Sequence, residues 1–339
     1  MRAYIVPSGC TNVEQLRQVE RKDPEPGPGQ VLIRVRAASL NYRDQAVVAG
    51  MYIGGAVQRD TIPLSDGAGE IVEVGAGVTT FEPGDRVAGI FFQTPPGGPA
   101  FGARAALGAP LDGMMAERVV LYEDGVVLMP NDLSFEEAAC LPCAGVTAWH
   151  ALMRAGKPVV AGDTVLVLGT GGVSMLALQF ATAAGARVIA TSSSDEKLER
   201  VKTLGASETI NYVRTPEWEK EVLRLTNGRG VDCVVEVGGV GTLNRSFHSL
   251  APGGKAVLMG LLTGPTGGDV NPYLLMGKNA SLHGIFVGDR EMFQEMNRAI
   301  AVNNIRPIVD KVFPFDDLLA AFHHKASGKF MGKVVVKVS

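Results

Sequence analysis

The sequence predicts an α/β protein with two parts: a six-stranded, doubly wound parallel sheet, and an antiparallel, barrel-like domain. Three observations predict it. An apolar strand, Thr164-Val165-Leu166-Val167-Leu168, runs into the glycine turn Gly169-Thr170-Gly171-Gly172, and a helix of small residues follows. That is how a parallel α/β sheet offers backbone N–H groups and a helix N-terminus to a pyrophosphate. From about residue 131 onward helical and strand periods alternate, the pattern of a sheet with crossover helices. Before that point the chain is a series of short alternating strands punctuated by glycine and proline.

The 339 residues suit two domains better than one. The expected division gives 131–288 to the dinucleotide-binding domain, and 1–130 with 289–339 to the catalytic or substrate domain. Residues 1–6 read as a first strand, 24–30 as a Pro/Gly turn, and Val31-Leu32-Ile33-Arg34-Val35-Arg36 as a half-buried strand. Further strands are expected at 69–75 and 84–89. The Gly/Pro/Ala-rich stretch 93–113 reads as a long loop over a cleft. The parallel strands are expected near 164–168, 187–191, 208–212, 231–237, 255–260 and 281–286. An amphipathic helix then covers 289–303, and Lys333-Val334-Val335-Val336-Lys337-Val338 forms a last strand that returns to the N-terminal domain.

Gly169 and Gly171 fit the G-x-G-x-x-G pattern, but its third glycine position holds Ser174. The serine is expected to sit where glycine would, with the helix slightly farther from the strand. Ala177, Ala181, Ala183 and Ala184 keep that helix slim, and Gly185 ends it. The next strand, Arg187-Val188-Ile189-Ala190-Thr191, completes a β-α-β unit. NAD sites carry an Asp or Glu about 20 residues after the glycines, on the ribose hydroxyls. Here the strand ends in Thr191-Ser192-Ser193-Ser194, and Asp195 and Glu196 fall in the first turn of the next helix, with Ser194 as its N-cap. Hydroxyls and Lys197 suit a 2′-phosphate, so NADP(H) is expected over NAD(H). Loop and cap chemistry accounts for the same serines and is compatible with that role.

A formal net charge of −3 without a basic run gives no electrostatic footprint for nucleic acid. No apolar run approaches the ~18 residues of a membrane span, and no signal peptide precedes the first strand, so a cytoplasmic location is expected. Cys10, Cys140, Cys143 and Cys233 are too scattered for a disulfide framework. Cys140-x-x-Cys143 lies in an apolar helical stretch with no second pair to complete a zinc tetrahedron, and reads as packing thiols.

The chain resembles the medium-chain dehydrogenase/reductase superfamily over nearly its whole length. The motifs are Ala38-Ser39-Leu40-Asn41-Tyr42-Arg43-Asp44, Gly67-Ala68-Gly69, Pro83-Gly84-Asp85-Arg86-Val87, Ala138-Ala139 with Thr147-Ala148-Trp149, and the glycine turn. Residues 232–239, Ala251-Pro252-Gly253-Gly254 and Gly332-Lys333-Val334-Val335 complete the set. The resemblance implies a Rossmann sheet with a GroES-like catalytic domain. Within the superfamily it is most similar to the zinc-independent, quinone-oxidoreductase-like (zeta-crystallin-like) branch. Zinc alcohol dehydrogenases carry a catalytic Cys-His-Cys set. Here the first ligand region reads Leu40-Asn41-Tyr42, and the Gly-His-Glu region reads Leu64-Ser65-Asp66-Gly67, which leaves only Cys143 at a ligand position. The resemblance therefore implies no zinc, with nothing at the matched positions replacing its charge.

Without a metal to polarise an alcohol, the expected acceptors are quinones and enones, which take a hydride from NADPH readily. By resemblance Asn41, Tyr52 and Tyr42 are the catalytic candidates, while Asp44 and Asp66 flank the cleft and His150 packs. Thr147 is expected at the nicotinamide, Thr170, Gly171, Gly172 and Val173 at the pyrophosphate, and Ser192, Ser193, Lys197 and Tyr212 at the 2′-phosphate. Gly238, Gly260 and Val287 follow later strands on the same rim, and Lys333 is expected either to reach the adenosine phosphate or to open its strand as a solvated charge. The sixth strand, at a sheet edge, implies a homodimer. The competing readings are an NADP-dependent alcohol or aldehyde dehydrogenase and a non-catalytic NADPH-binding structural protein.

Overall fold

The structure is a computed structural model that describes residues 1–93, 105–264 and 266–339. The chain divides into two compact units, Gly145–Gly288 and Met1–Ala144 with Asp289–Ser339. The expected boundary at 131 falls before the observed one. Residues 131–144 stay with the N-terminal unit, where the Ser39 hydroxyl donates to the Ala139 carbonyl at 2.7 Å.

The unit Gly145–Gly288 holds a six-stranded parallel sheet in the order Glu208–Asn211, Arg187–Ser192, Thr164–Val167, Val231–Glu236, Leu250–Leu258, Ser281–Gly284. Counted along the chain that is 3-2-1-4-5-6, the doubly wound order. Its interior strands are apolar on both faces because helices cover both; Val165, Leu166, Val234 and Val257 are fully buried. The helix Gly172–Ala183 follows the glycine turn, and Gly185 leaves it at φ +80°, a backbone that favours glycine.

In the other unit seven strands form a mostly antiparallel sheet. Gln30–Leu40 is its spine, pairing antiparallel with Asp66–Val74, Arg118–Tyr122 and Lys333–Lys337. The C-terminal strand thus returns beside the N-terminal strands, with Val334 opposite Leu40. A strand that the sequence did not announce, Val309–Pro314, pairs parallel with Lys333–Lys337. It is short and half exposed, so its hydrophobic period is weak. Of the Gly/Pro/Ala-rich loop expected at 93–113, residues 94–104 lie outside the described residues; Phe92–Gln93 and Ala105–Ala106 pair as a short hairpin. The helix at 289–303 begins on Asp289, whose carboxylate accepts the Met292 N–H at 3.0 Å. No helix among the described residues is long and apolar enough to cross a membrane.

Candidate active site

The turn at 169–173, Ser192 and Ser193, Tyr212, Gly238, Gly260 and Val287 lie at or just past the C-terminal ends of successive parallel strands. Gly169 leaves the first strand at φ +73°, and Gly171 is the N-cap of the following helix. A Cβ built on either would meet no atom within 4 Å, so open space faces the turn where a pyrophosphate needs it. The first helical N–H groups have no partner inside the helix and point to that space. Ser174, buried, donates its hydroxyl to the Leu168 carbonyl at 2.7 Å. The departure from glycine therefore ties the helix to the end of the strand. Thr191, which sequence reasoning gave no role, accepts the Gly169 N–H at 3.2 Å and fixes the turn from the neighbouring strand.

At the tip of Arg187–Ser192 the serines do cap. Ser194 accepts the Lys197 N–H at 3.3 Å, and Ser192 accepts the Ser194 N–H at 3.2 Å. Ser193 is exposed, Lys197 is half-buried on the first helical turn, and Tyr212, 41% exposed, begins just past the next strand. Asp195 accepts from the Asn211 amide at 2.7 Å and pairs with Arg214. Arg214 is a cation on this rim that no sequence motif marked; its partner lies 19 residues away.

Gly238 and Gly260 have packing reasons for lacking a side chain. A Cβ on Gly238 would lie 2.3 Å from the Thr242 hydroxyl, and one on Gly260 would lie 2.2 Å from the Val237 carbonyl. The loop after Val231–Glu236 is organised by Glu236, which is fully buried. Its Oε1 accepts the N–H groups of Gly238 (2.7 Å) and Gly239 (3.0 Å) and the Thr242 hydroxyl (2.6 Å), and its Oε2 accepts from Ser246. Val287 sits at φ +53°, strained for a β-branched residue, and its carbonyl accepts His150 Nδ1 at 2.6 Å. His150 is half-buried on the stretch that follows Val146–Trp149. Thr147 is buried on the short helix Val146–Trp149.

The catalytic candidates lie in the other unit. Asn41 precedes the helix Tyr42–Val48 and is 8% exposed. Its backbone N–H donates to Asp44 at 2.7 Å, and burial raises the Asp44 carboxyl above its ordinary range against the pull of Arg43. The Asn41 amide donates to Ser65 Oγ at 3.3 Å, and Ser65 donates to Asp66 Oδ1 at 2.7 Å. Asp66 Oδ2 accepts the Cys143 N–H at 3.1 Å. Tyr42 is 53% exposed and outside this network. Tyr52 lies over the Arg43 guanidinium at 4.8 Å, and Arg43 donates to the Leu107 and Ala109 carbonyls.

Lys333 departs from expectation. A phosphate contact or a solvated charge is expected at the start of this strand, yet Lys333 is 3% exposed within this second network. Its Nζ donates to the Leu40 carbonyl at 2.8 Å and to Asn41 Oδ1 at 2.5 Å, and lies 3.7 Å from Asp66 Oδ2. The antiparallel pairing of Lys333–Lys337 with Gln30–Leu40 carries it there. An ammonium from outside the matched positions thus stands beside Asn41 and Asp66.

Asn41, Ser65, Asp66 and Cys143, the positions matched to the zinc-ligand regions, converge here, and they do not fit zinc. A catalytic zinc needs three protein ligands. Asp66 is the only carboxylate of the four, with both oxygens already engaged. Desolvation pushes the Cys143 thiol above the ordinary thiol range, and a thiol must lose its proton to bind metal. The ammonium of Lys333 would repel a second cation. Among the described residues no group of three or more His, Cys, Asp or Glu is placed to hold a metal ion.

Comparison with known proteins agrees with the architecture. The alcohol dehydrogenase GroES-like domain matches residues 27–131, and the zinc-binding dehydrogenase family matches residues 172–302. A zinc-type alcohol dehydrogenase-like protein of Schizosaccharomyces pombe is 45% identical over 99% of both chains. A quinone oxidoreductase of Pseudomonas aeruginosa is 35% identical, over 79% of this chain and 75% of that one. The crystal structure of an NAD-dependent alcohol dehydrogenase superposes over 100% of both chains with TM-score 0.93 and 32% identity. With a nicotinamide-type sheet rim in one unit and the Asn41 network in the other, the chain belongs to the medium-chain dehydrogenase/reductase superfamily, as a nicotinamide-dependent oxidoreductase.

Proposed function

We propose that this protein is a zinc-independent, NADPH-dependent reductase of quinones or α,β-unsaturated carbonyls. The observation that carries the proposal is the Lys333–Asn41–Ser65–Asp66 network at the positions where zinc dehydrogenases hold their metal. A site with an amide and an ammonium but no Lewis acid favours acceptors that are already electrophilic. The cofactor would supply the hydride, held by the N-terminus of Gly172–Ala183 with Thr170, Gly171, Gly172 and Val173, and by Thr147, Gly238, Gly260 and Val287 along the rim.

Three features favour NADPH. No carboxylate ends Arg187–Ser192, Lys197 lies in the first turn of the next helix, and of the two carboxylates in that turn, Asp195 and Glu196, the first is paired with Arg214. Ser192, Ser193 and Tyr212 complete the same corner. The resemblance to a quinone oxidoreductase supports the acceptor class. The alcohol dehydrogenase reading draws its support from the other relatives' names and stands as the second reading.

The test follows nicotinamide absorbance with a panel of quinones and enones, on protein whose zinc content has been measured. Turnover is expected with at least one acceptor, with kcat/KM higher for NADPH than NADH and zinc well below one ion per chain. Stoichiometric zinc with alcohol oxidation would replace this reading with the second. Tight NADPH binding without turnover of any acceptor would favour a non-catalytic role.

The homodimer proposal rests on the edge strand Ser281–Gly284, which pairs on one side only. Leu282, Tyr273, Met276 and Phe286 of the same unit are exposed at 39%, 73%, 72% and 51%. An unpaired sheet edge of this kind is ordinarily covered. Light scattering is expected to give a two-chain mass, and a single-chain mass would remove the proposal.

A further inference from the structure

The hydrogens of the second network have one consistent arrangement, and it orients the candidate catalytic amide. An ammonium has three donors and no acceptor, so the Asn41 atom 2.5 Å from Lys333 Nζ is the oxygen. The other end of the chain of bonds gives the same answer. The Asp66 carboxylate takes the single Ser65 hydrogen at 2.7 Å, which leaves the Ser65 oxygen to accept. Its partner at 3.3 Å is then an N–H of Asn41. Both ends fix the carboxamide with oxygen toward Lys333 and the NH2 group toward Ser65. Ser65 takes one of the two N–H bonds, and the second is left to donate.

We infer that Lys333 is a positioning residue that locks Asn41 as a hydrogen-bond donor to the carbonyl oxygen of the acceptor. The inference rests on the proposed reductase reading. As charge builds on the substrate oxygen, an N–H already aimed at it stabilises that charge without reorganising. The ammonium, held behind the amide, polarises the N–H further through the Asn41 oxygen. Lys333 touches neither substrate nor cofactor and acts through Asn41. This role differs from the phosphate contact that its sequence position suggested.

The test compares Lys333→Met, Asn41→Ala and the double variant. Lys333→Met is expected to lower kcat on the order of 10- to 100-fold, less than the roughly 100- to 1000-fold for outright loss of an oxyanion donor, because the Asn41 amide itself remains. The NADPH dissociation constant, read by fluorescence, is expected to stay within about twofold. In the Asn41→Ala background the lysine change is expected to add nothing, because the two residues act as one unit. Additive losses, or an NADPH affinity that falls with the charge, would overturn the inference. Asn41→Asp covers the case in which Lys333→Met does not fold. It keeps the side-chain shape and gives the ammonium a carboxylate partner, but it has no N–H to donate. It is expected to bind NADPH and lose turnover as Asn41→Ala does; full turnover would overturn the inference.

A substrate-free readout separates this inference from the reductase reading. In protein labelled with 15N at asparagine side chains, the Asn41 NH2 signals are assigned by their loss in Asn41→Asp. They are expected to move on Lys333→Met (Lys333→Arg in its place if the Met variant does not fold) while the other asparagine signals stay. Unmoved Asn41 signals overturn the orientation even if quinones are reduced. Moved signals in a protein that reduces nothing would fault the functional reading instead.

Discussion

Gly171→Val is expected to abolish NADPH binding while leaving the fold intact. Gly171 has an ordinary extended backbone, φ −76° and ψ −177°, which any residue adopts. The space around its missing side chain is empty of protein atoms to 4 Å. The glycine is therefore not required by packing or by backbone strain. What a side chain would obstruct is the approach of an anion to the N–H groups opening Gly172–Ala183. We expect at least a ~100-fold loss of NADPH affinity, about 2.8 kcal/mol at 1.4 kcal/mol per decade. The melting temperature should move by no more than about 2 °C, since Val costs only fractions of a kcal/mol at an exposed helix start. Titration calorimetry and thermal melting on the same preparation check both halves. Retained affinity would mean that the cofactor does not use this turn. A collapsed melting temperature would mean that the open space is not open. Gly169 is a poorer choice, because at φ +73° a valine would strain the backbone and confound the two effects.

The contrast between these glycines bears on what was readable from sequence. The turn, its strand and its small-residue helix are contiguous, so local spacing revealed them. The four interior parallel strands were likewise legible, because a strand buried on both faces reads as a continuous apolar run. The serine-rich strand tip with the helix cap at Ser194 was legible for the same reason as the turn, being contiguous in the chain. Arg214 was not, since its pairing with Asp195 depends on how the next strand lies beside the first.

Lys333 shows the limit most clearly. A lysine opening an apolar strand is ordinarily a solvated charge, and nothing in its neighbours argues otherwise. Its burial follows from pairing a C-terminal strand against Gln30–Leu40, which brings Nζ to a carbonyl 293 residues away in sequence. The same long-range pairing delivers the replacement charge that the ligand regions, read one by one, do not contain. Ser65 and Asp66 were read as departures from a metal motif. In the structure they form the acceptor end of the chain of bonds that orients Asn41.

Glu236→Ala is expected to be among the most destabilising single changes in the Gly145–Gly288 unit, while Glu236→Gln is expected to be mild. Glu236 ends the strand Val231–Glu236 at 0% exposure, and four donors converge on it. Truncation to alanine leaves two backbone N–H groups and two hydroxyls without their acceptor. Each buried donor left unsatisfied costs about 1–3 kcal/mol, and the hydroxyls recover part of this by rotating. A net loss of about 3–5 kcal/mol follows, on the scale of a broken buried polar network. Glutamine keeps an oxygen at Oε1, where the Gly238 and Gly239 N–H groups and the Thr242 hydroxyl point. Its new NH2 group faces only the Ser246 hydroxyl, which can turn and accept. The cost for glutamine is then about 1 kcal/mol. Urea denaturation of both variants, followed by the fluorescence of Trp149 and Trp218 in this unit, measures the difference. Equal losses would mean that charge, and not the geometry of acceptance, is what the loop requires. The loop carries Gly238 on the cofactor rim, so Glu236→Ala is also expected to weaken NADPH binding in protein that remains folded. A carboxylate inside an apolar strand end thereby serves stability and site geometry with the same four hydrogen bonds.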